Sequence, residues 1–447
     1  MRGRWLVCLV VMGCSGGVGG SDGNAHLGEG ESSGTSGMNS SATTGTSAES
    51  GTSSPSGTTA PTGPDTTGDP TSSTGSSTDP DATGQPSCDE HWRVQPVASG
   101  LTDIAYDAPS DTIFAVGNDA DTPWAASLDG CNGGTLSLSN LTHPGATSTY
   151  VRRVLASDEG LFVAGSVVLD ADPGNGMYAR LDPNTLARQW SQPLAGNGGF
   201  MDEVLQLTMS NAGTVWMAGT ARLNDTPAAW TINGTTDGSA CGFSAGSAGP
   251  GSARAIAADG DTIVVAMRPS AAPGGLVLLG YDQACTCMCQ PQWTSATIEI
   301  GTSDTSIGDM VVVDGQLYVA GWARDGAGID LFGYVAWLDG NGTLLGTYTD
   351  DVTPNGEGFL TLAAVGGTLY VGGGQAWDGQ PGFDSANARL HAIPIPWGGS
   401  PTPTWTALPQ DLDIVEGLAA SADYVYVGGT ADGVATVLRC DTDGDCG

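Results

Sequence analysis

A short β-rich run ending in small residues recurs seven times between positions 113 and 429. It reads Ile113-Phe-Ala-Val-Gly117, Leu161-Phe-Val-Ala-Gly165, Val215-Trp-Met-Ala-Gly219 and Ile263-Val-Val-Ala-Met267, then Leu317-Tyr-Val-Ala-Gly321, Leu369-Tyr-Val-Gly-Gly373 and Val425-Tyr-Val-Gly-Gly429. Successive copies end 48, 54, 48, 54, 52 and 56 residues apart. A fixed period of this size means one supersecondary unit repeated, and such units stack to bury a core that none buries alone.

Each copy has neighbours of the same kind. An apolar run lies before it, as in Val204-Leu-Gln-Leu207 and Met310-Val-Val-Val313. Another lies after it, as in Tyr178-Ala-Arg-Leu-Asp182 and Tyr334-Val-Ala-Trp-Leu-Asp339. A turn then leads to a fourth run, marked by Trp190, Trp293 or Trp405. Four short strands per unit at a period near 50 predict an all-β, seven-bladed β-propeller over residues 87–447. With 70 Gly in the chain, long helices are disfavoured, because each Gly in a helix costs roughly 1 kcal/mol relative to Ala. The Gly ending the second strand is expected to let neighbouring blades approach. The last unit lacks a fourth strand, and His91-Trp-Arg-Val-Gln-Pro-Val97 matches the pattern of Gln189-Trp-Ser-Gln-Pro-Leu194. The N-terminal strand is therefore expected to complete blade seven beside residues 435–440, removing an exposed sheet edge.

Propellers bind ligands at a mouth of the central channel, where the first strands converge. Asp103, Arg153, Glu203, Arg254, Asp309, Glu357 and Glu416 are placed just before those strands. Such a ring is read as a polar site for a sugar, a peptide or a cation, or else as solvated, mutually paired charges. Paired carboxylates could also perform acid–base hydrolysis, with Arg153 or Arg254 as an anion or oxyanion partner.

Of ten cysteines, eight lie beyond the N-terminal segment: Cys88, Cys131, Cys241, Cys285, Cys287, Cys289, Cys440 and Cys446. An even number in an exported chain reads as disulfides. Cys88 with Cys440 or Cys446 would staple the ring. Cys285-Thr-Cys-Met-Cys289 is either a thiolate site for a soft metal or a cystine-stabilised turn, reaching Cys241 in the second case. No metal ligand set is assigned. Asp441-Thr-Asp-Gly-Asp445 resembles part of a calcium loop, although a tight acidic turn serves equally, so calcium is the one cofactor considered. The four His are scattered, and no pattern of a nucleophile with its base appears.

The N-terminus is an address. Arg2 and Arg4 precede the apolar run Trp5 to Met12, which ends Val11-Met12-Gly13-Cys14. This resembles a bacterial lipobox, with Met12 larger than usual. Residues 1–13 are expected to be a lipoprotein signal peptide and Cys14 the lipidated residue, anchoring the chain firmly through its acyl groups. Residues 14–86 are rich in Ser, Thr, Gly and Pro and carry no Phe, Trp or Tyr. They are expected to be a disordered tether reaching on the order of 50 Å. The chain holds 13 Lys+Arg against 48 Asp+Glu, a formal net charge of −35. That charge argues against nucleic acid and against anionic lipid bound through a basic patch.

Ala179-Arg-Leu-Asp-Pro-Asn-Thr-Leu-Ala-Arg-Gln-Trp190 resembles the docking motif of PQQ-like, quinoprotein-type propeller repeats, with Leu186 where that family has Gly. Leu128-Asp-Gly130 and Leu338-Asp-Gly340 are partial echoes. The tethered repeat chain is also similar to propellers of myxobacterial lipoproteins. The quinone enzymes' eight blades, vicinal Cys pair and acid-lined metal site are not matched, so PQQ binding is not inferred. Likeness to the propeller lipoprotein of the barrel-assembly machinery implies scaffolding. The expected function is a lipid-anchored binding or scaffolding module at the outer membrane or cell surface, with a protein or glycan ligand. A carbohydrate-active hydrolase or lyase is the alternative.

Overall fold

The computed structural model describes residue 88 and residues 91–446, apart from 121, 170–173, 195–202, 224–225, 241–243, 273, 287–288, 302–303, 325–330, 352–355, 376–386, 400 and 410–411. The expected signal peptide, lipidated Cys14, tether, Cys241 and Cys287 lie outside the described residues. Among those described, no helix is long and apolar enough to cross a membrane.

The strands form four-stranded antiparallel sheets, each in the order first, second, third, fourth. Five are separate sheets. The other two are joined because one strand, Ser244–Asp259, pairs with Thr226–Gly234 of the third unit and then with Thr262–Pro269 of the fourth. The first strands of the seven units begin at Gly100, Ala146, Glu203, Gly251, Thr305, Glu357 and Ile414. Each packs on the next, and Ile414–Ala420 packs back on Gly100–Asp107, so the ring is closed. The chain is a seven-bladed β-propeller.

Second and third strands are buried on both faces, which explains their continuous apolar runs; Ile113 to Gly117 is buried at every position. Outer strands alternate, as in Leu344–Asp350. Apolar clusters lie between consecutive sheets. One joins Leu161, Val163 and Met177 of blade two to Phe114 and Val116 of blade one. Another joins Tyr426 and Val437 of blade seven to Ile104 and Trp124 of blade one.

Closure follows the expected register over a shorter length. Trp92–Val94 pairs antiparallel with the last strand: Trp92 opposite Arg439, Arg93 opposite Leu438 and Val94 opposite Val437. The tryptophans of fourth strands dock on the next blade. Trp92 Nε1 donates to the Gly130 carbonyl at 3.2 Å, Trp190 Nε1 to the Thr236 carbonyl at 3.2 Å, and Trp405 Nε1 to the Thr442 carbonyl at 2.9 Å. The ring of Trp92 lies so close to Gly133 that a Cβ there would come within 2.7 Å of it. Leu186, at the position of the family's glycine, takes a left-handed φ of 54° and is buried among blade-two residues.

Two expectations are corrected. The glycine ending the second strand makes room within its own blade: a Cβ on Gly219 would sit 1.9 Å from the Glu203 carbonyl, and one on Gly373 would sit 1.8 Å from the Gly358 carbonyl. A kink in the facing strand, rather than the neighbouring blade, sets that demand. Cys88 pairs with Cys131 of blade one, while Cys440 pairs with Cys446 across the acidic turn. Cys88 precedes a strand whose Trp92 leans toward blade one, and that lean brings Cys131 within reach. Cys285 and Cys289 form the cystine-stabilised turn.

Candidate functional site: the channel hub and its mouth

Every first strand contains a β-bulge, at which one extra residue interrupts the ladder. The residues skipped in register are Thr102, Arg152, Leu205, Arg254, Gly308, Leu360 and Glu416. The seven candidates therefore occupy unlike places. Asp103, Arg153 and Asp309 directly follow a bulge, and Arg254 and Glu416 are bulge residues. Glu203 and Glu357 are the first residues of their strands. Asp103, Arg153, Arg254, Asp309 and Glu416 lie inside the strands rather than before them.

The position after the bulge ties one blade to the next. Val154 N–H donates to Asp103 Oδ2 at 2.9 Å, Leu362 N–H to Asp309 Oδ2 at 3.0 Å, and Leu418 N–H to Thr361 Oγ1 at 3.1 Å. Blade seven has Gly417 at this place, where a Cβ would fall 2.6 Å from the Ile104 nitrogen. There the backbones meet directly.

Arg153 unites the ring. Its Nε donates to the Leu205 carbonyl at 3.2 Å and its Nη2 to the Gly308 carbonyl at 3.2 Å, and Nη1 lies 3.5 Å from Asp103 Oδ1. Gln206 Nε2 donates to Asp309 Oδ1 at 2.8 Å, which also accepts the Met310 N–H at 2.8 Å. Blades one, two, three and five thus meet in a polar hub. Burial pushes the Asp103 carboxyl up to about 7, against the pull of Arg153. Burial likewise raises Asp309, and Arg153 again opposes it.

Above the hub, at the end where first strands begin, a second cluster is partly exposed. Arg152 Nε donates to Glu203 Oε1 at 2.5 Å, and its guanidinium lies 4.9 Å from the centre of the Tyr150 ring. Arg152 is 43% exposed and Glu203 31%. Thr430 Oγ1 donates to Glu416 Oε2 at 2.9 Å. Burial raises the Glu416 carboxyl to about 7, opposed by Thr430, Arg153 and Arg152. Burial also raises the Tyr150 phenol, with Glu416 and Glu203 adding to the shift. The hub and mouth unite Asp103, Arg153, Glu203, Asp309 and Glu416 and add Tyr150, Arg152 and Gln206. The Arg152-Arg153 doublet was a visible signal for the first arginine. Nothing in the sequence marked Tyr150 or Gln206. Arg254 stands at the bulge of blade four, and Glu357 is buried at the start of blade six's inner strand.

A triad-like line elsewhere is structural. Thr406 Oγ1 lies 2.9 Å from His391 Nδ1, and His391 Nε2 lies 3.2 Å from Asp350 Oδ2. Arg389 Nε, however, donates to His391 Nε2 at 3.0 Å. Arg389 Nε also lies 2.8 Å from Asp350 Oδ2, and Asp350, Arg389 and His391 are all buried, so the imidazole belongs to a packed ion-pair network. The acidic turn at Asp441 is held by Asp441 N–H to the Asp445 carbonyl at 2.8 Å and by Cys440–Cys446. Among the described residues, no three His, Cys, Asp or Glu are grouped to hold a metal ion.

No family model matches this chain, and no curated protein matches it. Among solved structures, one described as "Structure of Dos1 propeller" is similar at 11% identity and a TM-score of 0.48, over 76% of this chain and 77% of that one.

Proposed function

We propose that this chain is an exported, lipid-anchored propeller that serves as a binding or scaffolding module at the cell envelope, with its ligand at the mouth formed by Tyr150, Arg152, Glu203 and Glu416. The observation that carries the reading is the division of labour around Arg153. The carboxylates of Asp103 and Asp309 are committed to neighbouring blades' N–H groups and to Arg153 or Gln206. What is left at the surface is a set of side chains suited to recognition. A hydrolase would need two carboxylates free to trade protons with a bound substrate. Three disulfides are consistent with an exported, non-cytoplasmic protein. The Trp190 dock and the left-handed Leu186 support kinship with PQQ-like repeats. The lipobox-like Val11-Met12-Gly13-Cys14 supports the anchor and the outer-membrane address.

Two measurements test this. Cys14→Ser is expected to move the protein from the membrane fraction to the soluble fraction, and continued sedimentation with membranes would refute the anchor. Arg152→Ala is expected to abolish capture of envelope components by the purified chain, and undiminished capture would refute the mouth as the site.

A further inference from the structure

We infer that the ligand of this mouth is a neutral saccharide, held by hydroxyl contacts to Arg152, Glu203 and Glu416 beside the Tyr150 ring. The inference rests on the mouth being the binding site and adds the class of ligand.

Charge selects first. The mouth and hub bring the guanidinium groups of Arg152 and Arg153 together with Glu203, Glu416, Asp103 and Asp309, and Arg152 and Glu203 are already joined. A cationic ligand would meet the Arg152 guanidinium, which already neutralises Glu203. An anionic ligand would approach a chain of formal net charge −35 and then meet carboxylates. A neutral ligand avoids both penalties.

Chemistry selects next. Each sugar hydroxyl both donates and accepts. It therefore suits a surface where a carboxylate, which only accepts, stands beside a guanidinium, which only donates. Arg152 is tied to Glu203 and laid over Tyr150, so little further freedom is lost when it engages a ligand. Glu416 is steadied in the same way by Thr430.

Shape selects against a peptide. The side chain of Arg153 reaches Gly308 across the hub, so the mouth has a polar floor. Among the described residues, the large exposed apolar side chains are Leu136, Leu138, Leu344, Leu345 and Leu408. The first four lie on outer strands and Leu408 directly follows one, all far from the first strands that form the mouth.

The test is calorimetric titration of the purified full-length chain with four panels: neutral gluco-, manno- and galacto-oligosaccharides, uronate oligosaccharides, glucosamine oligomers, and uncharged tetrapeptides. At least one neutral series is expected to bind, weakened ten-fold or more by Arg152→Ala and by Glu203→Gln, with Arg188→Ala as an unaffected control on the outer strand of blade two. Matching thermal midpoints for the variants separate lost contacts from lost fold. No binding by any neutral series overturns the inference. Arg152-dependent binding of uronates, glucosamine oligomers or peptides alone also overturns it, while leaving the mouth as the site. Neutral saccharide binding that ignores both substitutions overturns the mouth itself.

Discussion

Arg153 of blade two donates from Nη2 to the carbonyl of Gly308 in blade five, 3.2 Å away, and its Nε donates to Leu205 in blade three. One side chain thus braces three blades from the axis of the ring. It does so among carboxylates that are hard to ionise without it.

Arg153→Met is expected to destabilise the fold by about 3–5 kcal/mol, the usual consequence of leaving one partner of a buried charge pair alone. Urea unfolding measures this. Adding Asp103→Asn to Arg153→Met is expected to restore part of the loss, since the amide oxygen that replaces the carboxylate would still accept from the Val154 N–H. A double variant as unstable as the sum of the singles would contradict the hub.

Stability should fall as pH rises toward 8. Asp103 and Glu416 titrate near 7 in the fold, whereas an unfolded carboxyl titrates near 4. A raised folded value means that the fold binds protons more tightly than the unfolded chain. The stabilisation is complete below about pH 4 and is lost as pH climbs through 7. The thermal midpoint is therefore higher at pH 5.5 than at pH 8. Asp103→Asn should flatten this difference, and an undiminished slope would remove Asp103 as its source.

Cys88→Ser and Cys131→Ser should lower the melting temperature equally, and the double variant no further. Their bond spans 43 residues, for a nominal chain-entropy stabilisation of roughly 4 kcal/mol. A larger loss in the double variant than in either single would show that the two cysteines do not act as one bond.

Trp92→Ala should be more damaging than Trp190→Ala. Both lose a dock on the next blade, at about 2–4 kcal/mol for a half-buried indole. Trp92 belongs to a closing strand of three residues, whereas Trp190 belongs to a strand of seven. Limited proteolysis should therefore open the chain near residues 91–99 in Trp92→Ala and leave it closed in Trp190→Ala. Equal behaviour of the two variants would remove the closing strand as the weak point.

The blades were legible from residues alone because each is a local pattern. An apolar run such as Leu317-Tyr-Val-Ala-Gly321 is buried on both faces wherever it stands in a ring, so the same signature repeats. Closure by Trp92 was legible because its neighbours copy those of Trp190. The tertiary structure decided the bulges, the cysteine partners and the composition of the hub. A bulge leaves residue types unchanged and shifts only the register, so Asp103 and Glu203 look alike in sequence though one is inside its strand and the other begins it. Disulfide choice depends on which turns the twist of adjacent sheets brings within bonding distance, and that placed Cys131, rather than Cys440, beside Cys88. The reach of Arg153 to Gly308 depends on ring closure, since those residues are 155 positions apart and meet only when seven sheets share one axis.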